Sequence, residues 1–226
     1  MTDLAAGVDL SSHNPSARIN YDALAKTHDF GIVRCAYGTR CDSECANHVR
    51  RLRDVGMAVG LYGFWRASQP TVDQYLTICE QADRVRLGPG DIVPSADIED
   101  DGSDKVCPAW SDPFRLLCET LAGRWTGSMI YCSRRDWIRL GSPTWFRNHY
   151  SWPAHWAETD DPLTPGDWPW HIHQRRVGVM PGIHAGQLCQ DVATLPLPTI
   201  LDPDQERRRV EGVIATTLRS TGKPDA

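Results

Sequence analysis

Two carboxylates, Asp97 and Glu99, stand where the apolar segment that begins at Ile92 comes to an end. Side chains two residues apart on a strand face the same side, with α-carbons roughly 6.5 Å apart. Glycosidases work with carboxyl groups at about this separation. Burial and the neighbouring like charge raise the pKa of one carboxyl, so that it can donate a proton near neutral pH. The pair therefore predicts acid catalysis on a glycosidic bond.

Two other interpretations of the same residues stay open. Asp100, Asp101 and Asp104 follow the pair, so the segment could instead be the start of a solvated acidic loop. Clustered carboxylates also suit Mg²⁺ or Ca²⁺, although a metalloenzyme would not need the tryptophan-rich surroundings described below. We predict that the protein uses no metal and no other cofactor.

Short apolar segments alternate with helical patterns along the chain, as in a parallel sheet covered by helices. Eight candidate strands suggest that the sheet closes into a barrel. From Gly141 to Pro169 the helical period is lost, so helices should be short or missing there. We therefore predict an α/β fold, an irregular TIM-like barrel with eight strands and fewer than eight helices. The predicted strands are Ala5–Leu10, Phe30–Ala36, Ala58–Phe64, Ile92–Ile98, Ser128–Cys132, Ser151–Trp156, Trp170–Gln174 and Gln187–Val192, and the predicted helices are Tyr21–Thr27, Ser43–Val55 (capped by Ser43 and ended by Gly56), Thr71–Val85 and Pro113–Trp125.

This fold predicts where further carboxylates belong. Chemistry in such barrels lies at the carboxyl ends of the strands, and the first and last predicted strands end in Asp9 and Asp191. Because the last strand of a barrel pairs with the first, these two residues should be neighbours. Four carboxyl groups, counting Asp97 and Glu99, would then converge on one mouth.

The composition indicates a globular protein with a proper core. The chain has 226 residues, of which 41% are hydrophobic and 23% are charged, a typical balance. The net charge of -5 makes nucleic acid a poor partner, because acidic residues surround the basic run 207–209. We assign residues 1–200 to a catalytic barrel and 201–226 to a charged tail, either a packed helix at Gln205–Leu218 or the stub of a linker. We expect a monomer.

The first ten residues contain no basic leader and no long apolar segment, so we expect no signal peptide. No stretch of 18 apolar residues occurs, so we expect no membrane insertion. A protein made in a reducing cytoplasm should keep most of its eight cysteines as free thiols. Cys41 and Cys45 are the exception best placed to pair, whereas no second pair completes a zinc site. Cys35, Cys132 and Cys189 should be small buried hydrophobic side chains.

Nine tryptophans in one chain of this length are more than fold stability normally requires. Flat aromatic faces suit the binding of sugars. Trp152, His155 and Trp156 are candidates for a sugar platform, and Trp65, which follows the third strand, is a candidate to flank the groove. A tryptophan-rich core is the alternative for each ring.

Several segments resemble glycoside hydrolase family 25, the lysozymes of the Chalaropsis type. Gly7-Val8-Asp9-Leu10-Ser11 resembles the opening motif of that family, and Ala96-Asp97-Ile98-Glu99 is similar to its Asp-x-Glu catalytic strand. Further similar segments follow in the same order, so the resemblance covers about residues 5–195. These segments are Phe30 to Gly38, Val59 to Phe64, Ile130 to Cys132, Trp152 to Trp156, and a closing block made of Trp170 to Gln174, Pro181 to Ile183, Gly186 and Asp191.

The resemblance implies an irregular eight-stranded α/β barrel that cleaves the β-1,4 bond from N-acetylmuramic acid to N-acetylglucosamine in peptidoglycan. By position, Glu99 would be the general acid. Asp97 would orient and stabilise the 2-acetamido group of the substrate, which acts as an internal nucleophile and gives net retention. Asp9 and Asp191 would tune charge and hydrogen bonding around that pair. The predicted substrate-binding residues are Tyr62 and Tyr131 at the scissile bond, together with Arg34, Trp152, Trp65 and Gln174.

Three positions depart from the family pattern. Arg34 replaces the usual Lys, which keeps the charge and changes its geometry. Gly63 replaces His, and the missing ring is expected to widen or rearrange the base of the pocket. Tyr37 stands where Glu is common. None of these departures touches the acid pair.

The leading hypothesis is a peptidoglycan muramidase, and its expected partner is the bacterial cell wall. The absence of an expected signal peptide suits a phage endolysin that is released through a holin-type pore, although a bacterial enzyme exported by other means is possible. One alternative is a chitinase-like glycosidase, but the segment Val93–Ala96 lacks the aspartates that precede the acid there. A catalytically inactive glycan-binding barrel is the alternative from another class, and the intact carboxylate set argues against it.

Overall fold

The computed structural model describes residues 4–102, 104–157, 159, 162–166, 168–178, 188–202 and 204–205. Within them, eight strands close into a barrel, and a ninth strand of two residues forms a hairpin at its rim. The strands are β1 Leu4–Leu10, β2 Phe30–Tyr37, β3 Arg40–Cys41, β4 Ala58–Phe64, β5 Ser95–Asp97, β6 Met129–Ser133, β7 Tyr150–Ala154, β8 Ile172–Gly178 and β9 Leu188–Thr194.

The barrel is mixed rather than wholly parallel. Its strands follow the order β1-β2-β4-β5-β6-β7-β8-β9, and β9 returns to β1. The strands from β1 to β8 are parallel to their neighbours, whereas β9 is antiparallel to both β8 and β1. The prediction of a parallel sheet is therefore wrong for the last strand. Residues 179–187, which separate β8 from β9, are fewer than the roughly dozen residues that a parallel crossover requires.

Five α-helices lie in the described part of the chain, which agrees with the prediction of fewer than eight. The predictions for the third and fourth helices are close to the structure, whereas the first helix is only one turn. Ser43 does not cap the second helix, because Glu44 is the capping residue and its side chain makes no capping bond. The predicted helix Gln205–Leu218 lies, from residue 206 onward, outside the described residues. The helices are α1 Tyr21–Leu24, α2 Cys45–Asp54, α3 Thr71–Arg84, α4 Ser111–Trp125 and α5 Arg134–Arg139, and 3-10 turns occur at Ser16–Arg18, Pro108–Trp110 and Thr144–Asn148.

Strand β2 shows how the core positions the site. Its residues 30–36 are all buried, as expected for a parallel strand with helices on its outer face. Gly31 allows α2 to approach closely, since a Cβ there would lie 2.7 Å from Leu52 Cδ1. This packing fixes the carboxyl end of the strand, which carries Arg34 and Tyr37 to the mouth of the barrel.

Strand β5 is shorter than its predicted span of Ile92–Ile98. Pro94 has no backbone N–H and interrupts the ladder. Backbone bonds continue on either side, from Ile92 N to Val59 O at 2.7 Å and from Ile98 N to Tyr131 O at 3.1 Å. The strand that ends in Asp97 is thus held between β4 on one side and β6 on the other.

Candidate active site

A cleft of about 450 Å³ opens at the carboxyl ends of the parallel strands. Asp9 reaches it from β1, Arg34 from β2 and Asp97 from β5, and Glu99 follows β5 by two residues. The structure thus brings three of the four predicted carboxylates into one cavity. The other lining residues are Ser11, His13, Asn14, Tyr37, Tyr62, Phe64, Asp100, Asp101, Gly102, Tyr131, Trp152, Trp156, Gln174 and Cys189.

The acid pair lies at the floor of this cleft. Asp97 is buried, and its Oδ1 has no hydrogen-bond partner among the described residues. Ile98 points the other way and is fully buried in the packing, as the alternation of side chains on a strand requires. An unpartnered buried carboxylate oxygen is costly unless a ligand supplies a donor, so Asp97 is poised to accept a hydrogen bond from a bound molecule.

The carboxyl groups share a raised proton affinity. Burial raises the pKa of Glu99 to about 7, and the charges of Asp136 and Asp9 add to this effect. Burial is also the main cause that raises the pKa of Asp97 well above its usual value, and the charges of Glu99 and Asp9 raise it further. Arg34 opposes the rise at Asp97. A carboxyl group with a pKa near neutral pH can hold a proton and donate it as a general acid.

Gln174 on β8 joins the carboxylates to the aromatic rim. Its Nε2 donates to Asp9 Oδ2 at 2.7 Å, and its Oε1 accepts from Tyr131 Oη and from Trp156 Nε1, each at 2.9 Å. The bond from Gln174 lowers the pKa of Asp9, but burial outweighs it and raises that pKa to about 6. One amide therefore fixes the orientation of Asp9, a tyrosine and an exposed indole together.

Asp191 occupies a different place from the one predicted. Because β9 runs antiparallel, this residue pairs with Gly7 inside the strand instead of ending it, and it does not line the cleft. Its Oδ1 accepts from Trp152 Nε1 at 2.9 Å. Burial and then the charge of Asp9 raise its pKa well above the usual value. Asp191 is therefore bound to an indole that lines the cleft, and it lies close enough to Asp9 for the charge of Asp9 to raise its pKa.

Three rings pack against each other at the base of the cleft. Trp152 is buried and meets Tyr62 edge to face at 5.9 Å and Tyr131 at 4.9 Å between ring centroids. Trp156 is different, since 69% of its surface is exposed although its indole nitrogen is bound to Gln174. These rings give the cleft apolar walls beside its carboxylates.

Two residues predicted to contact sugar, Trp65 beside the groove and His155 on the platform, do not reach the cleft. Trp65 is 2% exposed and packs edge to face on Trp110 and Phe114, so the prediction that it flanks the groove is wrong. It lies one residue beyond Phe64, and the alternation along the strand turns it outward. Phe64 lines the cleft instead, and its spacing of two from Tyr62 was the signal. His155 stacks on another histidine away from the cleft.

Gly63 does not widen the pocket as predicted. Strand alternation turns this position away from the cleft, and a Cβ there would lie 2.4 Å from Ile78 Cδ1 on α3. The glycine lets the helix pack against the barrel, and it has no direct effect on the shape of the base of the cleft.

We expect Gly63→Ala to lower stability by about 1–3 kcal/mol, as overpacking of a core does. Ile78 is buried and cannot move aside without disturbing its neighbours. Urea denaturation measures the change. A matched Gly88→Ala variant, where a Cβ meets nothing within 4 Å, should stay close to wild type. Equal stability of the two variants would contradict this packing.

The other two departures from the family pattern form contacts at the rim. Arg34 Nε donates to Asp42 Oδ2 and its Nη2 donates to Ser12 Oγ, each at 2.8 Å. Tyr37 stacks on Phe64 at 4.8 Å and donates to an oxygen of Asp101. Both side chains are therefore fixed in place before any ligand binds.

Asp136, which the sequence did not single out, influences the acid from α5. It is buried, its backbone N–H donates to the capping residue Ser133, and its carboxylate accepts from Arg135 Nε at 3.1 Å. After burial, its charge is the largest cause of the raised pKa of Glu99, whereas Arg135 lowers that pKa. No pattern in the sequence revealed α5, so this position had no signal.

We expect Asp136→Asn to lower the pKa of Glu99 and Arg135→Gln to raise it, because the two charges act in opposite directions. A ¹³C NMR titration of the Glu99 carboxyl measures both shifts. The two variants serve as controls for each other. Shifts in the same direction would contradict the electrostatic account.

Three further features of the described residues bear on function, namely metal sites, membrane-spanning helices and disulfides. No group of three or more His, Cys, Asp or Glu residues is placed there to hold a metal ion. None of its helices has the length and apolarity needed to span a bilayer. No disulfide joins the eight cysteines. Cys189 is half-exposed and faces the cleft beside Asp9, so the expectation that it is a buried hydrophobic residue is wrong.

An α/β barrel with clustered carboxylates and aromatic rings at the carboxyl ends of its strands defines a glycosidase-type site. Residues 8–183 match the family model described as "Glycosyl hydrolases family 25". The chain therefore belongs to that family and is a glycoside hydrolase.

Several solved structures have a similar fold. The bacterial lysozyme from Streptomyces coelicolor aligns with a TM-score of 0.73 at 19% identity, over 87% of this chain and 94% of that one. A family GH25 lysozyme from Aspergillus fumigatus gives 0.72 at 17% identity over 86% and 95%. The catalytic domain of endolysin ply40 from Listeria monocytogenes bacteriophage P40 gives 0.68 at 18% identity over 86% and 94%. No match is found among curated proteins.

Proposed function

We propose that this protein is a peptidoglycan hydrolase that cleaves the β-1,4 bond from N-acetylmuramic acid to N-acetylglucosamine. The observation that carries the proposal is the Asp97–Glu99 pair at the floor of the cleft, with the pKa of Glu99 near 7. Membership of the family supports it. The lysozymes and the endolysin named above share the fold that holds this pair.

In the first step, Glu99 donates its proton to the glycosidic oxygen as the bond to the anomeric carbon breaks. The carbonyl oxygen of the 2-acetamido group attacks that carbon from the opposite face and closes an oxazolinium ring. Asp97 Oδ1, which has no partner among the described residues, accepts the hydrogen bond of the acetamido N–H. With the proton on Glu99, one of the charges that raise the pKa of Asp97 is absent, and the ionised Asp97 stabilises the positive charge that develops on the ring.

In the second step, Glu99 acts as a base. It takes a proton from a water molecule, which attacks the anomeric carbon and opens the oxazolinium ring. The acetamido group is restored, and Glu99 is again protonated for the next turnover. Two displacements at one carbon give net retention, and one carboxyl serves both steps because its pKa is near neutral.

The surrounding residues position the substrate in this account. Asp9, held by Gln174, supports the charge balance beside the pair, and Asp191 holds Trp152 in place. Tyr62, Tyr131 and the indole of Trp152 form the wall against which the sugar at the scissile bond rests. Trp156 offers an exposed ring to a sugar further along the cleft, because aromatic faces pack well on the apolar faces of sugars.

We expect the β-configured N-acetylmuramic acid end to be the first product. Asp97 ends β5 and Glu99 follows it by two residues. Both therefore project from one short segment of the chain, which does not place an acid and a base on opposite faces of the sugar, as inverting enzymes do. Proton NMR of a defined oligomer, recorded during the first turnovers, shows the anomer directly. Early appearance of the α anomer would mean that Asp97 activates water and that the retaining mechanism is wrong.

A zymogram with purified peptidoglycan tests the proposed function, with chitin as a second substrate. Clearing of peptidoglycan alone is the expected result. Clearing of chitin alone would favour the chitinase-like alternative, and binding to peptidoglycan without clearing would favour an inactive glycan-binding barrel. Either of these two results would overturn the muramidase assignment.

We also propose that the bacterial cell wall is the place of action. The fold shared with the catalytic domain of a phage endolysin suits an enzyme that a phage releases onto the wall through a holin-type pore. Lysis of cells from outside by the purified protein, and lysis from within only when a holin is expressed with it, are the results that support this role.

A further inference from the structure

A second, smaller pocket of about 240 Å³ adjoins the catalytic cleft, and the mechanism above does not use it. It shares Arg34 and Tyr37 with the cleft, so a branch of a bound substrate can enter it without leaving the site. We call it the rim pocket. Its other lining residues are Ser12, Arg40, Cys41, Asp42 and Ser43.

The hairpin of β2 and β3 presents Arg40 to the rim pocket. Arg40 pairs directly with Tyr37 across the hairpin, and the turn between them needs Gly38, whose φ is +60°. The backbone of the turn is tied down on two sides. Gly38 N donates to Phe64 O at 2.8 Å, and Thr39 N donates to Gln69 Oε1 at 2.7 Å. The guanidinium is therefore offered from a fixed backbone at the mouth of the barrel.

Three guanidinium groups surround the ring of Tyr37, and two of them are neutralised. Arg34 lies 2.8 Å from Asp42, and Arg66 lies 2.5 Å from Asp101. Arg40 is exposed and forms no ion pair with any carboxylate of the described residues, while its Cζ lies 5.5 Å from the ring centroid of Tyr37. The ring orients this positive charge and leaves it free for a ligand.

We propose that the rim pocket binds a carboxylate on the non-sugar branch of the substrate through Arg40. The inference rests on the proposed function, because muramic acid carries such a branch and chitin does not. The carboxylate can be the lactyl group of muramic acid itself, where it is free, or a carboxylate of the stem peptide that is linked to it. Guanidinium binds either one in the same two-bond geometry.

The test compares four polymers made from one peptidoglycan preparation. The first carries stem peptides, and the second has had them removed by an amidase, which leaves the lactyl carboxylates free. The other two are the same polymers after carbodiimide and ammonia have converted their carboxylates to amides. Each is digested by wild type, Arg40→Ala, Arg40→Lys and the control Arg51→Ala, which removes an exposed arginine of α2 that lines neither pocket.

Arg40→Ala should raise KM about three- to tenfold on at least one carboxylate-bearing polymer, with kcat unchanged and no effect on the amidated polymers. Arg40→Lys should recover part of the loss, and Arg51→Ala should match wild type throughout. The polymer on which the loss occurs identifies the lactyl or the peptide carboxylate as the ligand. An equal loss on all four polymers, or no loss on any, would overturn the inference. Failure of wild type to cleave any polymer would instead overturn the proposed function.

Discussion

Glu99→Gln is expected to fold as the wild type does and to lose activity by about 10²–10⁴-fold, the usual contribution of a general acid. Gln has nearly the same shape but no proton to give to the glycosidic oxygen. Initial rates on solubilised peptidoglycan measure the loss. Asp54→Asn, which removes an exposed carboxylate on α2, is the matched control and should keep wild-type rates. Near-wild-type turnover by Glu99→Gln would show that another group donates the proton.

The raised pKa of Glu99 predicts how wild-type activity depends on pH. Because Glu99 must be protonated to act, activity should decline as the pH rises through about 7. The stability of the protein should change in the same direction. Folding raises this pKa from 4.5 to about 7, so the folded state holds a proton that the unfolded state has released. The stabilisation present below pH 4.5 is lost as the pH rises towards 7. At alkaline pH the wild type buries an ionised carboxylate and Glu99→Gln does not, so the variant should have the higher melting temperature.

Asp97→Asn is expected to reduce kcat by about 10²–10³-fold while binding changes little. The amide keeps the size of the side chain and still accepts a hydrogen bond, but its neutral oxygen no longer stabilises positive charge on the oxazolinium ring. Separate measurement of kcat and KM on a defined oligomer tests this. An increase in KM with kcat preserved would mean that Asp97 binds the ground state only, and its proposed part in the mechanism would be wrong.

The parts of the fold that local patterns determine were predictable from the sequence. The apolar period of α3 and the polar end of β5 are properties of a few neighbouring residues, and both predictions lie close to the structure. Asp9, Asp97 and Glu99 converge because the carboxyl ends of parallel strands meet at one face of a barrel. This convergence needs only the direction of each strand.

The remaining features depend on contacts between distant segments. The direction of β9 decides whether Asp191 lines the cleft or lies behind Trp152. The sequence pattern that predicts a strand is the same for either direction, so it does not predict the position of Asp191. The predictions for Trp65 and Gly63 are wrong because they rest on residue type and on nearness to the site. The alternation of side chains decides which face of the barrel each residue occupies, and it turns both away from the cleft. The bonds of Gln174 to Asp9 and Trp156 join residues far apart in the chain, and no local spacing predicts them.

The amino sugar at the reducing end released from peptidoglycan shows which of the two glycosidic bonds the enzyme cleaves. Digested glycan is reduced with borohydride, hydrolysed, and separated from reference amino sugars by chromatography. We expect wild type to form muraminitol and Glu99→Gln to form almost none. Glucosaminitol in place of muraminitol would show cleavage of the other glycosidic bond of the polymer and would contradict the assignment as a muramidase.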